Sequence, residues 1–316
     1  MKFETHKAKN WITLTVAASS IGIALFSVAA PKKRKRAEVK DYTAEITAAL
    51  PGNATVEPEK ARKVLIFAVT AGFRHKSIPT GKNALELLGS HTGAYEAVVS
   101  DDLANFEKEK LQEFDAVLFL NTTQNVFAPS KRAARKMPAS DLALAKEKEL
   151  RLKANFLEFV KSGKGFIGIH GATDTFHNWP EYGEMIGGYF DGHPWGAKTD
   201  VSIQVEPGKE KHPLIASWEG ESLNIKEEVY QHKEPYDSSK YDMLLRLDTE
   251  NSNMNVKGIK RKDNDFGIAW TKTCGEGRVF YSSIGHNDAV FYNPKVLQHY
   301  LAGIQYALGD LKVPTN

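Results

Sequence analysis

Short apolar runs alternate with amphipathic stretches through the first half of the chain. VLIFAVT (64–70), Tyr95–Val99 and AVLFLN (116–121) are apolar runs of strand length, the pattern of strands buried on both faces. Between the first two, Ala84, Leu85, Leu87 and Leu88 form one stripe at helical spacing, and residues 103–114 predict a short helix. A longer helix is predicted to about Ser162, with Ser140 or Asp141 as its cap and Gly163 as its terminator. Leu142, Leu150, Phe156, Leu157 and Val160 would form its apolar side. GFIGIH supplies the next strand. This alternation predicts an α/β fold with a doubly wound, mostly parallel, flavodoxin-like sheet.

After residue 195 the pattern becomes strand-rich, through DVSIQVE, MLLRLD, FGIAWTK and RVFYSSI. A closing helix over 294–308 places Val296, Leu297, Tyr300, Leu301, Ile304 and Ala307 at core spacing. The body from 63 to 312 has the size of one large domain. Residues 30–62, with PKKRKR, Pro51 and Pro58, read as a basic and polar linker holding at most a short helix.

The first residues have the character of an export segment. Three lysines precede an uncharged stretch from Trp11 to Ala30, about the length that spans a bilayer as a helix. Ser-Val-Ala at 27–29 suits cleavage by a signal peptidase, so residues 1–29 are expected to be a signal peptide and the protein to be periplasmic or extracellular. Pro31 and the cationic PKKRKR run disfavour that processing and translocation. An uncleaved anchor through residues 11–30 therefore remains the alternative.

The five cationic residues of PKKRKR exceed the formal net charge of +3, so the rest of the chain is net acidic. A nucleic-acid partner is not expected. The single cysteine, Cys274, excludes an intramolecular disulfide and a thiolate metal cluster.

Chemistry concentrates in the histidines. His75, His170 and His286 each follow an apolar strand, and FDGHP, VYQH and TFHNW add His193, His232 and His177. Residues just past the carboxyl ends of parallel strands line the ligand crevice of such sheets. Convergent imidazoles there point to acid–base chemistry, a metal such as Zn²⁺, or both. No HExxH or HxH spacing marks a metal, so the cofactor stays open. In GIHGATD, Gly168 and Gly171 bracket His170, a sharp strand-to-helix turn resembling a nucleophile elbow with an imidazole in place of the nucleophile.

AGFRHKSI (71–78), the run from Gly163 to Pro194, KHPLIASW (211–218), EEVYQ (227–231) and GRVFYSSIGHND (277–288) together resemble the trehalose-utilisation (ThuA-like) family. That resemblance implies a class I glutamine amidotransferase-like fold and a role in the catabolism of a glycoside or keto-sugar. His170 stands where amidotransferases carry their cysteine, and His286 roughly matches their later histidine. Without the thiol, glutaminase chemistry is not expected.

The catalytic candidates are His170 and His286, with Glu228 or Asp174 orienting or ligating, and Glu227 nearly as plausible as its neighbour. Arg74, His75, His193, Trp195 and Tyr230 are candidates for substrate binding, with Trp179 and Tyr189 as further aromatic faces. His75, His170, His193 and His286 are the candidate metal ligands. The expected activity is hydrolysis or lysis of a small carbohydrate. The alternatives are a non-catalytic carbohydrate-binding protein and an assembly protein.

Overall fold

The computed structural model describes residues 40–313. The signal-or-anchor segment and the PKKRKR run lie outside them. Among the described residues there are eleven strands: β1 (Lys63–Phe67), β2 (Glu96–Val99), β3 (Ala116–Leu120), β4 (Gly165–Ile169), β5 (Tyr189–Phe190), β6 (Asp200–Val205), β7 (Leu223–Lys226), β8 (His232–Lys233), β9 (Asp242–Leu247), β10 (Gly267–Cys274) and β11 (Gly277–Ser282). The α-helices are α1 (Thr43–Ala49), α2 (Ile78–Thr92), α3 (Lys108–Leu111), α4 (Lys131–Ala134), α5 (Ala139–Lys161), α6 (Pro180–Ile186) and α7 (Pro294–Leu308).

Nine strands form one sheet in the order β2-β1-β3-β4-β11-β10-β9-β6-β7. The first five are parallel, and β10, β9, β6 and β7 extend the sheet antiparallel to one another. The fold is thus α/β with a mostly parallel centre and a strand-rich C-terminal portion. Alternate side chains of the central strands feed two cores. Ile66, Leu118 and Ile167 meet α2 and α7 on one face, while Phe67, Phe119 and Phe166 meet α5 and α6 on the other.

The segment that reads as linker holds α1, whose Ile46 is buried, and lies against α7. Gln305 accepts from the backbone N–H of Thr55 at 2.7 Å and Val56 at 3.2 Å, and donates to Val56 O at 2.7 Å.

Two expectations for α5 require correction. Its cap position is Pro138, without a side-chain cap, so Ser140 and Asp141 fall inside the first turn. Leu142 and Leu150 are exposed, and burial is confined to Leu152, Phe156, Phe159 and Val160. The reason is length: α5 has 23 residues whereas β3 and β4 have 5 each. A helix of about 34 Å overhangs strands of about 17 Å, so half of it has no sheet to cover. Among the described residues no helix is long and apolar enough to cross a membrane.

Candidate functional site

The loops that leave the carboxyl ends of β1, β4 and β11 carry His75, His170 and His286, and the loop after β7 carries Glu228. Their ligand-capable atoms all lie within 4.8 Å of one another. His75, His170 and Glu228 are buried and His286 is half-buried. The three imidazole rings stand edge to face, with centroids 4.8 Å (His75–His170), 5.0 Å (His75–His286) and 5.3 Å (His170–His286) apart.

The elbow at His170 is real and strained: its φ is +46°, a left-handed conformation that a side chain rarely adopts. Gly171 passes close beside the backbone of Asn121 and Thr122, where a Cβ would stand a tight 3.0 Å from Thr122 O. Gly285, with φ +152°, likewise makes room, since a Cβ there would lie 2.9 Å from His170 Cβ. His170 Nδ1 donates to Ser283 O at 2.7 Å. A carbonyl can only accept, so the neutral ring carries its proton on Nδ1 and turns the Nε2 lone pair toward the cluster. Tyr230, fully buried, donates its hydroxyl to that Nε2 at 2.9 Å.

Glu228 is the hub of the charge. Its Oε1 is 3.1 Å from His286 Nδ1 and 3.6 Å from His170 Nε2, and its Oε2 is 3.5 Å from His193 Nδ1. Burial would raise its carboxyl pKa, but the neighbouring His170 and His286 imidazoles outweigh burial and hold it well below the usual carboxylate range. The same pairing reverses the effect of burial on His286 and raises its pKa. Burial, then the neighbouring His170 and His286, pushes His75 down to about 2, so at neutral pH the ring is neutral and keeps one nitrogen lone pair. His193 sits at the rim with about half its side chain exposed (51%).

The two adjacent glutamates do different work. Glu227 turns away from the imidazoles and accepts the backbone N–H groups of Gly285 at 3.0 Å, His286, and Asn287 at 3.2 Å. It therefore holds the turn that presents His286. Burial raises its pKa against the opposing charge of His170 and these three donors. Asn121, just past β3, ties three loops together. Its Nδ2 donates to Ser77 Oγ at 3.1 Å and Gly285 O at 3.0 Å, and its Oδ1 accepts from Gly171 N at 3.4 Å. Nothing in the sequence marks Asn121 beyond its place at a strand end. Phe73 was equally unmarked: it is 63% exposed and its ring stands 4.9 Å from that of His75.

Six other candidates lie apart from the cluster. Trp195 is wholly buried against Phe266 and donates Nε1–H to Asn253 O at 2.8 Å, so it serves the core. Asp174 does not orient His170; it accepts from His177 Nε2 at 2.7 Å and Gln124 Nε2 at 3.2 Å. Arg74 is exposed and forms no ion pair among the described residues. His232 is boxed by Tyr236, Trp270 and Tyr281, with both ring nitrogens unpaired. Trp179 and Tyr189 pack in the aromatic core.

The donor set suits a divalent cation. His75 Nδ1 is buried without a hydrogen-bond partner among the described residues, a costly state unless something else occupies its lone pair. Three imidazoles and one carboxylate match the ligands of Zn²⁺, Fe²⁺ or Ni²⁺. The bond from His170 Nδ1 to a backbone carbonyl is of the kind that orients metal-ligating histidines.

The fold is similar to that of a ThuA-like protein of Bacteroides uniformis, at 21% identity and a TM-score of 0.57, over 79% of this chain and 94% of that one. A ThuA-like protein of Parabacteroides merdae shares 16% identity with a TM-score of 0.52, over 81% of this chain and 94% of that one. No curated protein matches. The trehalose-utilisation (ThuA) family matches residues 63–137 and 145–307. The chain therefore belongs to the trehalose-utilisation family, which supports a carbohydrate-related role.

Proposed function

Taking that membership as premise, we propose that the chain is an exported enzyme that cleaves a glycoside or keto-sugar by hydrolysis or lysis. In this reading a divalent cation is held by His75, His170, His286 and Glu228. The observation that carries it is the convergence of three imidazoles and a carboxylate, with His75 Nδ1 buried and unpartnered, at the carboxyl edge of the parallel sheet. When bound, such a cation supplies Lewis acidity toward a sugar carbonyl or hydroxyl.

The chain's own groups divide the remaining work. His170 is fully buried with Nδ1 committed to Ser283, which suits a ligand better than a base touching substrate. His193 is the imidazole with access to solvent, and its Nε2, the nitrogen that does not face Glu228, moves a proton to or from the substrate. Phe73 offers an exposed apolar face against which the C–H face of a sugar ring packs. Tyr230, whose hydroxyl donates to His170 Nε2 at 2.9 Å, would release that lone pair to the cation and keep its hydroxyl beside it.

Metal content of the exported protein, with turnover of a keto-disaccharide before and after chelation, tests this reading. About one divalent ion per chain is expected, with activity lost on chelation and restored on reloading. His193→Ala should keep the metal and lower turnover by roughly 10²–10⁴. A chain with no affinity for divalent metals would overturn the metal. Sugar binding without turnover would favour a carbohydrate-binding protein.

A further inference from the structure

We propose that a second cavity, beside the histidine cluster, binds a small anionic ligand bearing a carboxylate or a phosphate. Strand β1 lies between β2 and β3, so the connections leaving β1 and β3 run to opposite sides and open a crevice between them. Open parallel sheets bind ligands at such switch points. A cavity of about 710 Å³ occupies this place, walled by Gly72 from the loop after β1, by Gln124, Asn125 and Ala128 from the loop after β3, and by Lys131 and Arg132 at the start of α4. Its size falls in the usual range of small-molecule sites.

Every ionisable side chain lining it is basic: Lys131, Arg132, Lys153 and His177. Lys153 is paired with Glu149 at 2.5 Å. Lys131 and Arg132 form no ion pair among the described residues and are available to a ligand. A concave wall of one sign concentrates ions of the other, and a guanidinium matches the oxygens of a carboxylate or phosphate two at a time. Asp174 finds its role here. Its Oδ1 fixes both His177 Nε2 at 2.7 Å and Gln124 Nε2 at 3.2 Å, so two polar groups of the wall are pre-oriented. The assignment stands whether or not the histidine cluster holds a metal.

Titration calorimetry on the full chain at low salt, with inorganic phosphate, D-glucuronate and D-glucose as separate probes, tests it. At least one anion should bind, glucose should not, and added salt should weaken binding. Phosphate alone or glucuronate alone would each support the site and identify its ligand chemistry. The double variant Lys131→Ala/Arg132→Ala, both exposed positions, should weaken anion binding at least tenfold while leaving the response to zinc unchanged. Failure of both anions to bind, equal binding of glucose, or undiminished anion binding in the double variant would overturn the site. So would anion binding that survives the double variant's loss of charge but disappears in Glu228→Gln.

Discussion

Glu228→Gln keeps the side chain's size and removes its charge. The carboxylate oxygens lie 3.1, 3.5 and 3.6 Å from the nearest nitrogens of His286, His193 and His170. A divalent cation among those nitrogens is then within about 3 Å of the carboxylate, and even at the dielectric constant of water the lost attraction is about 3 kcal/mol, about 100-fold in Kd. Zinc at about 100 times the wild-type Kd stabilises the native state by about 2.7 kcal/mol, whereas the variant gains only about 0.4 kcal/mol. An unfolding entropy of about 2.1 cal/mol/K per residue makes this a rise in Tm of about 5 °C for the wild type and under about 1 °C for the variant. Scanning calorimetry on chelated, dialysed protein with and without zinc reads both shifts. Equal shifts in the two proteins, or none in the wild type with zinc, nickel or ferrous iron, would refute the reasoning.

Further outcomes follow from other parts of the molecule. Glu227→Gln removes a charged acceptor from three N–H groups and should weaken zinc binding about 10–100-fold, with the fold retained by circular dichroism; wild-type affinity would exclude a positioning role. A Cβ at Gly303 of α7 would overlap the ring of Phe280. Gly303→Ala should therefore lower stability by a net ~1 kcal/mol or more, despite a gain of up to about 1 kcal/mol in helix propensity, and a raised Tm would contradict that packing. Burial pushes His299 down to about 4 and His232 to about 3. The unfolded imidazole titrates near 6.5, so the unfolded state binds more protons below that pH; His299's contribution is complete above about 6.5 and lost toward pH 4, on the order of 3 kcal/mol. His299→Gln should flatten the fall in Tm between those pH values, and an unaltered slope would count against it. Cys274 precedes the amino end of β11, at the sheet edge opposite His286, so Cys274→Ser should leave zinc binding and turnover unchanged; loss of either would place the thiol in the site.

The apolar runs by themselves determined the strands β1, β3, β4 and β11, and the helical stripe determined α7, because alternation and the 3.6-residue period act locally. They also placed His75, His170 and His286 directly after strands, and a parallel sheet brings such positions to one edge whatever the loops do. GIHGATD already carried the turn, since glycine eases the close backbone approach that Gly171 makes. Tertiary structure alone decided which neighbours enter the site. Glu227 and Glu228 are adjacent and chemically alike, and they point to different partners because the loop after β7 has no repeating period. Trp195 and Asp174 looked suited to a sugar site, yet Asn253 and His177, distant or off the strand pattern, claim them. Leu142 and Leu150 had the right spacing for burial but no sheet beneath them, because periodicity reports a face of a helix and not the length of what that face meets.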